Sequence, residues 1–213
     1  MIKQQLITAS EHAEHCQRNW DHSQSIPLED VQVLVDIATN MPSKQNVEYY
    51  QLVVSVNPQL NRLIYNLSID PDNPKTIHRN AQLNTHAVFI WFLNKPEKLS
   101  MTVNENTAGF FDDFNLNAKT AIGISSGAVA LSACQMGYRT GFNQCFEAYK
   151  LRDLMIEWGI DNLSDGKNTP ELTLGVGIPP YTDTPWNHVL DDNGELIQII
   201  DTETKNIRRD IIK

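Results

Sequence analysis

The chain has 213 residues and a mass of 24.2 kDa, enough for one well-packed domain and short for two. A formal net charge of -9 excludes a general nucleic-acid surface, which needs a basic patch, though it leaves space for a local basic pocket around a phosphate. The apolar share of 41% and mean hydropathy of -0.36 are hydrophilic, yet apolar runs recur along the whole chain and argue against disorder.

In chain order, the first expected helix starts near Thr8 or Ser10 and runs to about Gln17, with Glu11 and Glu14 in its early turns. Ser25-Ile26-Pro27 opens a second helix. Glu29 and Asp30 favour its positive end, and Val31, Val33, Leu34, Ile37 and Ala38 supply a buried stripe. Met41-Pro42-Ser43 ends it, because a residue before proline avoids helical geometry. Tyr50 to Val56 reads as a strand, and Asn57-Pro58 as a cap and first-turn proline for a short helix through Leu67. Asp70 to Lys75 is loop. Ala87 to Leu93 is a continuous apolar run, the pattern of a strand covered on both faces.

The longest helical region is expected from about Thr107 to Met136. Gly123, Gly127, Ala130 and Cys134 fall on one side of it, where another backbone can come close. Ile122, Val129 and Met136 form a separate apolar stripe, so the helix is expected to be central, against a sheet or a twin subunit. Tyr138 to Phe142 leads into a strand, Glu147 to Trp158 is helical, Leu172 to Ile178 is a strand, and Glu195 to Ile200 is a final strand. No linker or repeat divides the chain. The expectation is a single α+β layered domain over 1–213, with 201–213 as a charged tail that extends from it. Three cysteines without a C-x-x-C pair, no apolar leader and no run of about 18 apolar residues lead to an expectation of a cytoplasmic protein that contacts no membrane.

Several short motifs stand in a fixed order: Arg18-Asn19-Trp20 before the proline-led helix, then Pro42-Ser43-Lys44-Gln45-Asn46 ahead of Tyr49-Tyr50. Asn80-Ala81-Gln82 follows before the buried strand, then the small-residue helix with its Gly137-Tyr138-Arg139-Thr140-Gly141 exit, then Leu174-Gly175-Val176-Gly177-Ile178-Pro179. From about Ala9 to Pro179 this order resembles the nitroreductase family of FMN enzymes. The resemblance implies an α+β fold with a central, mostly antiparallel sheet flanked by helices and a long central helix at a homodimer interface. It implies FMN as cofactor, NADH or NADPH as reductant, and a small acceptor such as a nitroaromatic or quinone.

Residue by residue, the resemblance implies that Arg18 pairs with the FMN phosphate through charge-assisted hydrogen bonds. Pro42, Ser43, Lys44 and Asn46 would line the ring and ribityl chain. Asn80 and Gln82 would meet the pyrimidine side, where a donor stabilises negative charge on the reduced ring. Asn143, Gln144 and Cys145 fall where backbone N–H groups face the reactive edge, and Phe110, Phe111 and Phe114 would cover the substrate side. One departure is plain: Glu14-His15-Cys16 carries no Arg or Lys where the family has an upstream basic residue. Lys205, Arg208 and Arg209 match the family's late basic residues, and read equally as a solvated charged end. Other flavin chemistry (dehalogenation, flavin breakdown) or a non-catalytic FMN-binding role remain alternatives. His12, His15 and Cys16, at helical spacing, lack the further ligands that a tetrahedral metal site needs, so no metal is expected. Gly175-Val176-Gly177 lacks the third glycine and following helix of a dinucleotide loop.

Overall fold

The computed structural model describes residues 2–68, 80–94, 108–164, 168–180, 184–191 and 193–200, with backbone alone at 108–113. The helices are α1 (Ile2–Ala13), α2 (Leu28–Thr39), α3 (Pro58–Leu67), α4 (Ala108–Gln135) and α5 (Ala148–Glu157). The strands are β1 (Tyr50–Ser55), β2 (Ala87–Leu93), β3 (Arg139–Asn143), β4 (Thr169–Gly177), β5 (His188–Leu190) and β6 (Leu196–Ile199). The first four strands form one sheet in the order β1-β2-β4-β3, antiparallel throughout, and β5 and β6 form a separate hairpin.

The apolar run of β2 explains the layering. Every residue of this strand is buried, and its side chains alternate between two cores. Ala87, Phe89 and Trp91 pack with Val31 and Leu34 of α2 and Ile122, Val129 and Ala133 of α4. Val88, Ile90 and Phe92 pack with Leu60 and Ile64 of α3 and Leu151 and Met155 of α5. The sheet is therefore sandwiched between helices, as an α+β layered domain requires. A buried polar relay ties the first core together: Trp91 Nε1 donates to Ser125 Oγ at 2.9 Å, and Ser125 Oγ donates to the Ala38 carbonyl at 2.8 Å.

The α3 start follows its sequence signal. Asn57 Oδ1 accepts from the N–H groups of Gln59 and Leu60, and Pro58 occupies the first turn. The first helix does not follow expectation. It begins at Ile2 and stops at Ala13, several residues before Gln17. The cause is tertiary: Gln17 N donates to the Thr140 carbonyl and Arg18 N to the Trp186 carbonyl, which draws the segment out as extended chain. His12, His15 and Cys16 therefore do not share a helix face.

Helix α4 runs close to the expected bounds with Ile122 and Val129 buried, but its small-residue side is covered only in part. Ala130 and Cys134 are buried, but Gly123 and Gly127 are exposed, as are Leu116 and Ile124 beside them. Met136, placed in the apolar stripe, is exposed as well. The expected loop at 70–75 and the short connection from Asn94 to Thr107 lie almost wholly outside the described residues. No described helix is long and apolar enough to cross a membrane.

Candidate functional site

The candidate site residues lie toward two ends of the sheet. Rows across it run Ser55–Val88–Gly175–Gly141 at one end and Tyr50–Leu93–Thr169 at the other. At the first end, the short turn Ala81–Leu83 lies directly on the strands. This is possible because Gly141 and Gly175 have no side chains: an added Cβ would stand 2.3 Å from Gln82 Cβ at Gly141 and 1.9 Å from the Gln82 carbonyl oxygen at Gly175. Gly177 makes the same concession to Trp20 and Thr85. The glycines of the Leu-Gly-Val-Gly-Ile-Pro motif thus bring the Asn-Ala-Gln segment and the Arg-Asn-Trp segment down onto the sheet.

Gln82 is 3% exposed, and its Nε2 donates to the Phe142 carbonyl at 3.1 Å. Its Oε1 has no hydrogen-bond partner among the described residues, an acceptor whose burial costs about 1–3 kcal/mol while it stays unmet. Cys16 Sγ reaches the same Phe142 carbonyl at 3.7 Å. Arg18 is buried, with its Nη1 on the Cys16 carbonyl at 2.8 Å and its guanidinium 6.0 Å from the Trp186 ring. Beyond Phe142, Asn143 is buried and its Oδ1 accepts from Cys145 N at 2.7 Å, which fixes the turn carrying Gln144 and Cys145 to the surface. Gln82 and Cys16 thus meet at the Phe142 carbonyl beside Asn143, with Arg18 on the Cys16 carbonyl, whereas Gln144 and Cys145 leave β3 past the Thr173 row, toward the Thr169 end. Asn80 stands close by, but its Nδ2 donates to the Ser68 carbonyl at the end of α3.

Pro42, Ser43, Lys44 and Asn46 lie at the other end, just before β1. Ser43 Oγ donates to the Val47 carbonyl at 2.8 Å, while Lys44 and Asn46 are exposed. Two successive non-glycine residues here, Gln45 (φ 58) and Asn46 (φ 56), hold left-handed backbone conformations. Such strain costs about 1–2 kcal/mol per residue and concentrates at binding loops. From the Val88 row to the Leu93 row the strand advances five steps of ~3.3 Å, so the two ends stand roughly 17 Å apart. Within one chain the loop and the Arg18–Gln82 cluster do not meet. Phe114 is buried against Tyr49, with ring centroids 5.4 Å apart. The side chains of Phe110 and Phe111, and the whole of Lys205, Arg208 and Arg209, lie outside the described residues.

Arg139 stands at the same end of the sheet as Gln82, with little in its sequence context that singles it out. Arg139 opens β3 opposite Gly177, on the face that carries Gly141. Its only sequence signal was its place in the Gly-Tyr-Arg-Thr-Gly exit. Its Nη1 donates to the Tyr138 carbonyl and its Nη2 meets His12 Nε2 at 3.2 Å. Burial lowers its pKa. Burial also lowers the pKa of His12, and the neighbouring Arg139 charge adds to that.

No protein-family model matches the chain, and no curated protein matches it in sequence. Solved structures match it in shape. A BluB-like flavoprotein from Clostridium difficile 630 aligns with a TM-score of 0.64 at 15% identity, over 87% of this chain and 93% of that one. A Staphylococcus epidermidis ATCC 12228 protein, provisionally named an NAD(P)H:FMN oxidoreductase, aligns with a TM-score of 0.61 at 16% identity, over 88% and 92%. Nitroreductase A from Vibrio parahaemolyticus RIMD 2210633 aligns with a TM-score of 0.60 at 12% identity, over 93% and 78%. The chain has the nitroreductase fold.

Proposed function

We propose that the chain is an FMN-dependent oxidoreductase that works as a homodimer, using NADH or NADPH to reduce a small acceptor such as a nitroaromatic or quinone. The observation that carries this reading is the buried Gln82, its Oε1 unmet, seated with Cys16 on the Phe142 carbonyl of a nitroreductase-fold sheet, with buried Arg18 on the Cys16 carbonyl. These groups fit a flavin nucleotide: a buried guanidinium suits an anionic group, and the unmet Gln82 Oε1 suits the ring's imide N–H. When bound, FMN supplies the hydride chemistry between nicotinamide and acceptor.

The chain's own residues bind and orient. Gln82, held by Phe142, presents its amide at a fixed place, and Asn143 pins the turn that carries the Gln144 and Cys145 backbone. Arg18 sets a positive charge beside them. No protein nucleophile is required, so Cys145 serves as a wall of the site.

The dimer is part of the proposal because the Pro42–Asn46 loop belongs to the same set of motifs yet stands at the far end of its own sheet. A second copy that brings its loop to this chain's Arg18–Gln82 end completes the site. The exposed Gly123–Ile124–Gly127 face of α4 is the contact surface proposed for it.

Purified protein tests the reading directly. Yellow protein that is bleached by NADH or NADPH under anaerobic conditions, and recoloured by a quinone, is the expected result. A colourless preparation that takes up no added FMN overturns it. Yellow protein that neither nucleotide bleaches supports the FMN-binding, non-catalytic alternative.

A further inference from the structure

A second cavity adjoins the site. A cavity of about 320 Å³ is lined by His12, His15, Gln17, Arg139, Thr184 and Trp186, among others. Arg139 carries a half-buried positive charge, and among the described residues no carboxylate pairs with it. A guanidinium withdrawn from water without an anionic partner is poised for one. His12, the residue it touches, and His15, stacked on Trp186 with centroids 4.4 Å apart and planes 4° apart, line the same cavity with imidazole N–H groups. No carboxylate lines the cavity among its described residues.

We infer that this Arg139–His12–His15 cavity binds a phosphate monoester dianion, and that in the working protein this is the terminal phosphate of FMN. The inference rests on the flavin reading above and deepens it. Its position supports that: Arg139 and Gly141 share a strand face, two residues or about 7 Å apart, and Gly141 packs on Gln82. A ring held near Gln82 would have its ribityl phosphate at about this reach. The inference also accounts for the missing upstream basic residue. Glu14 stands in its place, and a cation from the start of β3 takes its work. Arginine suits that work, since its planar fork matches two phosphate oxygens at once.

FMN and riboflavin differ only by the phosphate, so their affinities for apo-protein, read by quenching of flavin fluorescence, separate the phosphate site from the ring site. Arg139→Met is expected to weaken FMN binding by roughly tenfold to a hundredfold, the effect of losing one charge-assisted hydrogen bond. Riboflavin binding should stay unchanged, which also shows that the variant is folded. Arg139→Lys should fall between the two. Equal losses for FMN and riboflavin, or no loss for either, overturn the inference. So does an Arg139→Met effect confined to NADPH relative to NADH, which would assign the cavity to the nicotinamide nucleotide. If the wild type binds neither flavin, the flavin reading fails by itself. Titration with inorganic phosphate then decides for the cavity: binding by wild type but not by Arg139→Met keeps the phosphate site, and no binding removes it.

Discussion

A methyl group added at Gly175 of β4 would stand 1.9 Å from the Gln82 carbonyl oxygen, while one added at Gly123 or Gly127 of α4 would meet no described atom within 4 Å. Both sets of glycines sit in regular structure, where glycine costs about 0.5–1 kcal/mol against alanine. In the sheet the reason for that cost is visible inside the chain: the backbone of the turn Ala81–Leu83 occupies the space. On α4 no described residue supplies the reason. A twin subunit pressed against α4 would supply it, and exposed Leu116 and Ile124 on the same side of the helix agree with that. The first set lets the turn Ala81–Leu83 seat on the strands, and the second would let two chains join if the proposed dimer forms.

The largest effect expected from this contrast is at Gly175. Gly175→Ala drives a Cβ into the Gln82 backbone carbonyl, a clash that no side-chain rotation relieves, at a cost of about 3 kcal/mol or more. For a chain of this length that lowers the unfolding midpoint by about 6–12 °C, read by circular dichroism. Flavin binding should weaken with it, since Gln82 must move. An unchanged midpoint would mean that the turn is not anchored by this contact.

On α4 the outcome depends on the partner. Gly123→Leu with Gly127→Leu should leave the isolated fold intact and shift the protein to monomer in sedimentation velocity. FMN uptake should fall in step, because the Pro42–Asn46 loop is no longer delivered. A double variant that remains dimeric would move the interface elsewhere. The single exchange Gly127→Ala sharpens the point: a merely solvent-facing glycine predicts a gain of about 1 kcal/mol in stability, and a glycine under a partner predicts none.

A smaller effect is expected at the far end of the sheet. Gln45 adopts φ 58 and ψ 22 in the loop before β1 and is exposed. Gln45→Gly should stabilise the chain by up to about 1 kcal/mol, since glycine enters the left-handed region without the Cβ penalty. Thermal unfolding checks this. A loss of stability would show that the Gln45 side chain makes contacts that outweigh its backbone strain.

Much of this architecture was legible in the residues. The unbroken apolar run of β2 announced a strand covered on both faces, and Asn57-Pro58 announced the start of α3, because periodicity and capping are local properties. The end of α1 was not legible, since it is set by Thr140 and Trp186, both far along the chain. Strand β5 was missed because His188-Val189-Leu190 is too short to show alternation. At the site, the motifs gave the residue types but not their grouping. Nothing local to Gly175 says that it faces Gln82, and nothing local to Arg139 says that it meets His12. Those facts arise from strand register.

The packed end of the sheet has one further consequence, a pH dependence carried by His86. Its Nδ1 accepts from Ile178 N, and its Nε2 donates to the Asp21 carbonyl, so the neutral ring is the form that fits. Burial lowers its pKa first, and His22 lowers it further. The Asp21 and Gln24 backbone contacts and the Asp21 charge oppose the shift. Between the lowered folded value and the ordinary imidazole value of about 6.5, the unfolded chain binds a proton that the folded chain does not. Stability should therefore fall as pH drops through that window and level off above about 6.5. His12, lowered in the same direction, adds to the slope. His86→Gln keeps a donor for the Asp21 carbonyl but cannot titrate, so urea unfolding from pH 7 to pH 5 should show a shallower loss than in wild type. If the two slopes coincide, His86 is not held neutral by the fold.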